Sequence, residues 1–105
     1  MLPYVDIHTH HPTGHAVELR TAGIHPWDAA QDNIGALEAR LGQVQALGET
    51  GLDRLRGPEM VCQLRMLRAQ LELARKHRLP VVLHCVNAFE PQMREFAAVP
   101  PRAVI

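Results

Sequence analysis

Residues 6–11 read D-I-H-T-H-H, and three of the chain's seven histidines fall inside them. In an extended strand successive side chains alternate faces, so Asp6, His8 and His10 point one way while Ile7 and Thr9 point the other. Two imidazoles two residues apart at a strand end can grip one ion. Glu49, in G-E-T-G-L-D, and His84, in L-P-V-V-L-H-C-V, each follow another apolar stretch and are predicted at the carboxyl ends of separate strands. Four candidate ligands, His8, His10, Glu49 and His84, thus come from three strands. Neutral imidazole with carboxylate suits zinc, manganese, iron or cobalt, and magnesium where carboxylates and waters dominate. Spacing does not choose among them.

Such ligands must be delivered by a scaffold, and the 105 residues alternate strand-like and helical patterns as βα units do. Strands are predicted over residues 2–10, 19–24, 44–48 and 79–86, with the entry into one more at 100–105, and 12–18 is loop-like. The run at 79–86 is apolar on both faces, as a central parallel strand covered by helices should be. Helices are predicted over about 28–41, 58–77 and 89–98. The first has Ile34, Leu37 and Leu41 at helical spacing, Asp28 or Asp32 to cap it and Gly42 to stop it. The second carries Pro58 in its first turn and an apolar stripe of Met60, Leu64, Leu67, Leu71 and Ala74, with Arg65, Arg68, Glu72 and Arg75 facing elsewhere. If the strands belong to a (β/α) barrel, their carboxyl ends converge on one mouth, where active sites are built.

Bulk composition narrows the classes. Apolar residues make up 47% of the chain, and eleven acidic residues balance eleven basic ones, so no overall field draws nucleic acid or an anionic membrane. A polyanionic substrate would need a local charge source such as a bound cation. No apolar run approaches the roughly 20 residues a bilayer requires, and no basic segment leads into a signal-like stretch. Cys62 and Cys85 fit no metal-finger spacing, so free thiols and cytoplasmic residence are expected, with Cys85 packed on the face opposite His84.

Taken in order, D-I-H-T-H-H at 6–11, G-I-H-P-W at 23–27, G-E-T-G-L-D at 48–53 and L-P-V-V-L-H-C-V at 79–86 resemble the successive signatures of the TatD family of metal-dependent hydrolases. The helical segment between the last two resembles that family's Q-x-x-x-x-x-x-Q helix, here Gln63 and Gln70. The resemblance implies an α/β fold, a TIM-type (β/α) barrel, with a centre of two divalent cations (magnesium, zinc or manganese). It implies hydrolysis of phosphodiester bonds, typically in DNA and from the 3′ end. Carried over by motif, His8 and His10 would bind the first metal, His84 the second, and Glu49 would bridge them as the catalytic carboxylate. Two cations about 4 Å apart can hold a bridging water, lower its pKa and stabilise charge on attacking and leaving oxygens. Asp6 would orient an imidazole.

The family pattern continues with a further histidine and an E-T-D segment, neither of which occurs in these 105 residues. Residues 1–105 are therefore expected to be the amino-terminal portion of a single TatD-like domain, of the compact type given the short path from His11 to Gly23. The alternatives are a catalytically incomplete metal-binding remnant, or a hydrolase of the wider amidohydrolase group acting on another bond. His25 either contacts substrate or makes the H-P turn. Trp27 could stack on a base, although a single tryptophan is more often core. Asp53 is either a turn former or a neighbour of the site. Arg54 and Arg56 meet phosphate or, the favoured reading, line a solvated loop. His77 is read as structural in a helix's last turn, and His11 and His15 as loop or solvent residues. Oligomeric state is not legible.

Overall fold

A computed structural model describes residues 20–31 and 33–105. The expected strand over 2–10 and loop over 12–18, with His8, His10 and Asp6, lie outside the described residues. Within them the chain runs β1 (Thr21–Ala22), a 3-10 turn (Pro26–Asp28), α1 (Ile34–Arg40), a second 3-10 turn (Leu41–Gln43), β2 (Ala46–Asp53), α2 (Met60–Lys76), β3 (Val81–Val86) and α3 (Phe89–Ala98). The strands form a parallel sheet in chain order, β1-β2-β3, and Val104 adds a parallel bridge to Val81 beyond β3. Parallel neighbours need crossovers, and α1 and α2 supply them.

β2 is the middle strand, and seven of its eight positions are buried; only Glu49 is partly exposed. It is also longer and later than the expected 44–48, so Glu49 lies in mid-strand rather than at the carboxyl end. The residues from Gly51 on read as a turn from sequence, yet Gly51, like Gly48, stands where the neighbouring strand comes close. A Cβ on Gly48 would stand 2.5 Å from Val82 Cβ.

Between Leu47 and Thr50 the pairing slips: Leu47 partners Val81 and Thr50 partners Leu83, three residues on β2 against two on β3. Such a bulge re-aims side chains. In an unbroken strand Leu47 and Glu49 would share a face. Across the slip Leu47 takes the Val81 and Leu83 face, while Glu49, Gly51 and Asp53 join the face of His84, which Gly51 partners in register.

The core lies between sheet and helices, with Leu47, Leu52, Leu67, Leu71, Ala74 and Val81 fully buried. Of the expected stripe on α2, Leu67, Leu71 and Ala74 are buried, whereas Met60 and Leu64 are only partly so. The buried face is centred instead on Gln63, Leu67, Gln70 and Ala74. Both glutamines are 1% exposed and spend their amides on backbone. Gln70 accepts from Ile24 N–H at 2.7 Å and donates to Ile24 C=O at 3.1 Å. That ties α2 to the loop carrying His25. Gln70→Leu would strand two buried backbone groups, and a loss of about 2–4 kcal/mol in unfolding free energy is expected by urea denaturation.

Other differences are local. Asn33, not Asp28 or Asp32, caps α1, its Oδ1 accepting from Gly35 and Ala36 amides at 2.7 and 3.2 Å. Gly42 does not end a helix but sits inside the second 3-10 turn. Pro58 precedes α2, whose cap is Glu59. Cys85 is exposed rather than packed, because the carboxyl half of β3 loses cover among the described residues. α3 occupies the expected span.

At the end of α2, Lys76 Nζ and His77 Nε2 both reach Glu38 Oε2, at 2.8 and 2.9 Å. These hydrogen bonds hold the Glu38 carboxyl below its ordinary value of 4.5. The native chain therefore keeps Glu38 ionised at a pH where the unfolded chain protonates it. Its stabilising contribution is present above about pH 4.5 and is lost as the pH falls through the lowered native value. Glu38→Gln is expected to lower the thermal midpoint slightly at neutral pH and to leave it unchanged at the acid end, which flattens the acid side of the thermal-midpoint curve.

Candidate metal centre

The site forms where β2 and β3 lie side by side and the G-I-H-P-W loop folds over them. Glu49 Oε2 lies 3.3 Å from His84 Nδ1, and Asp53 Oδ2 lies 2.9 Å from His84 Nε2. His25 stacks edge-on against His84, ring centroids 4.5 Å apart. Ligand atoms of His25, Glu49 and His84 all fall within 4.8 Å of one another, a grouping that could hold a metal ion.

Each side chain has a local reason to be there. Pro26 fixes the start of the 3-10 turn, and His25 caps it, Nδ1 accepting from Trp27 N–H at 3.2 Å. The same turn throws Trp27 outward, 41% exposed, so the indole is not core. Its Nε1–H donates to Asp53 Oδ2 at 2.7 Å, and the Arg56 guanidinium lies 4.1 Å above the ring. Amphipathic tryptophan tolerates this half-wet position once its N–H has an acceptor.

Asp53 ends β2 and turns the chain. Its Oδ1 accepts the amides of Leu55 and Arg56 at 2.9 and 3.0 Å, while Oδ2 takes the indole and faces His84. Gln63 brackets its backbone, accepting Asp53 N–H at 2.8 Å and donating to Asp53 C=O at 3.0 Å, with further bonds to the Arg56 and Pro58 carbonyls. The Trp27 hydrogen bond above all, then His84 and the two amides, hold the Asp53 carboxyl far below the usual carboxylate range, against the upward push of burial. Both turn former and site neighbour, the two readings its sequence left open, describe it. For His25 burial lowers the pKa, the neighbouring His84 ring lowers it further, and Glu49, Asp28 and Asp53 pull the other way. A neutral His25 whose Nδ1 accepts a hydrogen bond carries its proton on Nε2.

Of the residues singled out from sequence, Glu49, His84 and His25 come together, and His8 and His10 lie outside the described residues. Arg54 is committed to backbone, Nε donating to Asn87 C=O at 2.7 Å, while Arg56 lies against Trp27. Gln63 and Gln70 stand out in the sequence only by their Q-x-x-x-x-x-x-Q spacing, which gives them no role, and the apolar stripe points to other positions. Their signal is two amides seven residues apart on the face that must be buried.

Comparison with known proteins adds an independent line. The family described as TatD related DNase matches residues 6–102. Similar curated proteins include the "3'-5' ssDNA/RNA exonuclease TatD" of Pectobacterium carotovorum subsp. carotovorum (strain PC1), 43% identical over 65% of this chain and 28% of that protein. Proteins of the same name from Salmonella typhimurium and Escherichia coli (strain K12) are each 40% identical over 67% of this chain and 29% of theirs. The chain thus spans under a third of the length of the curated relatives it matches.

Proposed function

The chain belongs to the TatD family, and from that premise we propose that it is part of a metal-dependent phosphodiesterase that shortens nucleic acid from the 3′ end. The observation that carries this reading is the meeting of Glu49 with His84 across β2 and β3, with His25 against them. Relatives named as single-stranded DNA and RNA exonucleases supply the substrate class. No helix among the described residues is long and apolar enough to cross a membrane.

The donor set suits the group the family implies. A partly exposed carboxylate beside an imidazole whose second nitrogen is already held by another carboxylate is the ligand chemistry of zinc, manganese or magnesium. In this reading His8, His10, Glu49 and His84 would hold two divalent cations, and the charge of Glu49 would offset their mutual repulsion. Such a pair, when bound, supplies Lewis acidity to the phosphate and a water of lowered pKa. His25 serves substrate: with Nδ1 committed to the Trp27 amide, its Nε2–H is free to donate to a phosphate oxygen.

Residues 1–105 are, in the same proposal, the amino-terminal portion of a single TIM-type barrel domain. Parallel strands adjacent in chain order, joined by covering helices, support this. The test is a 5′-labelled single-stranded oligonucleotide incubated with the intact protein and magnesium, manganese or zinc. A ladder shortening from the 3′ end, abolished by chelation and restored by metal, is expected. Binding of metal without turnover would point to a remnant, and turnover confined to amide or lactone substrates to a different hydrolase; either overturns the proposal.

A further inference from the structure

His84 has a carboxylate at each ring nitrogen, and the two are not equivalent. Glu49 is partly exposed, and its Oε2 stands 3.3 Å from Nδ1. Asp53 is 3% exposed, and its Oδ2 stands 2.9 Å from Nε2. Asp53 is also fixed from every side. Two amides hold Oδ1, the indole of Trp27 holds Oδ2, and Gln63 holds the backbone N–H and C=O of the same residue. A neutral imidazole has one N–H to give, and the shorter contact to the immobile acceptor takes it.

We infer that Asp53 is a positioning residue: it accepts the Nε2–H of His84, fixes the ring plane and leaves Nδ1 as the unprotonated nitrogen turned toward Glu49. Trp27 acts through it, its indole N–H keeping Oδ2 in place. The consequence for the metal rests on the proposed function, since a lone pair on Nδ1 matters to a cation only if one binds there. The tautomer itself is a property of the metal-free chain. A carboxylate behind a ligating histidine sets which nitrogen is available and how the ring is aimed.

The experiment reads the ring nitrogens of His84 by 15N NMR in the metal-free intact protein, at a pH where the ring is neutral. Wild type is expected to carry the proton on Nε2. Asp53→Asn keeps the shape, but its oxygen is claimed by the Leu55 and Arg56 amides. Its NH2 group then faces Nε2 at the expense of the Trp27 bond, so the proton should move to Nδ1. Titration calorimetry with Mn2+ should show roughly 10–100-fold weaker binding by that variant.

Asp53→Ala, which offers neither donor nor acceptor, should give a mixture of tautomers. A proton on Nδ1 in wild type, or a tautomer unchanged in both variants, overturns the inference. If circular dichroism shows that neither variant folds, the wild-type spectrum decides alone. The Nε2–H tautomer with its dependence on Asp53, found in a protein that turns over no nucleic acid, would sink the proposed function and leave the positioning role standing.

Discussion

Glu49→Gln is expected to lower the proposed metal-dependent phosphodiester hydrolysis by on the order of 10³-fold while leaving the thermal midpoint of the metal-free protein nearly unchanged. The two halves have separate causes. Glutamine has almost the same volume, and position 49 is the one partly exposed place in an otherwise buried strand. Packing around Leu47 and Leu52 is therefore not disturbed. What is lost is the charge.

An amide binds divalent cations weakly and carries no charge to offset theirs. Metal-supplied charge stabilisation of several kcal/mol, at about 1.4 kcal/mol per tenfold in rate, converts to the loss stated. The checks are kcat at saturating Mn2+, metal stoichiometry by calorimetry, and a melting curve without metal. A rate and metal affinity within tenfold of wild type would remove Glu49 from the centre.

What the sequence made legible, and what it hid, divides along one physical line. α3 falls where its pattern put it, and β3 and α2 within two residues, because long periodic runs carry their own signal. From sequence β2 ends at Gly48 rather than Asp53, because Gly51 and the residues after it look like a turn. Only the neighbouring strand shows that Gly51 is a strand residue without room for a side chain. Trp27 and Asp53 make the same point. Each had two plausible environments, and the bond between them, spanning 26 positions, is visible only once β2 and the G-I-H-P-W loop lie together.

His25 and His84 meet because the strands are neighbours in chain order, so that the loop after β1 reaches the carboxyl half of β3. The glutamines of α2 show the limit from the other side. Periodicity ranks residues by apolarity, so it favoured Met60 and Leu64 and passed over Gln63 and Gln70, whose burial depends on backbone partners on other elements.

Gly51→Ala is expected to cost on the order of 3 kcal/mol or more and to take the metal centre with it. Two effects add. Gly51 has φ +140°, a conformation that L side chains rarely adopt, and a Cβ there would overlap the carbonyl oxygen of His84 on the adjoining strand. No flexible side chain is available to give way, since the obstacle is backbone. β2 must back away from β3 at the register position where Gly51 partners His84.

Glu49 and Asp53 flank that position at a distance of two residues on either side and face the same way, so separation there lengthens both carboxylate contacts to His84 at once. Loss of unfolding free energy should therefore be accompanied by loss of Mn2+ binding and by a changed His84 ring environment in whatever fraction remains folded. Gly42→Ala is the control, because nothing lies within 4 Å of a Cβ at that position. It should leave stability within about 1 kcal/mol of wild type and metal binding untouched. Equal, small effects from both substitutions would mean that close contact between β2 and β3 at Gly51 is not what holds the two carboxylates against the imidazole.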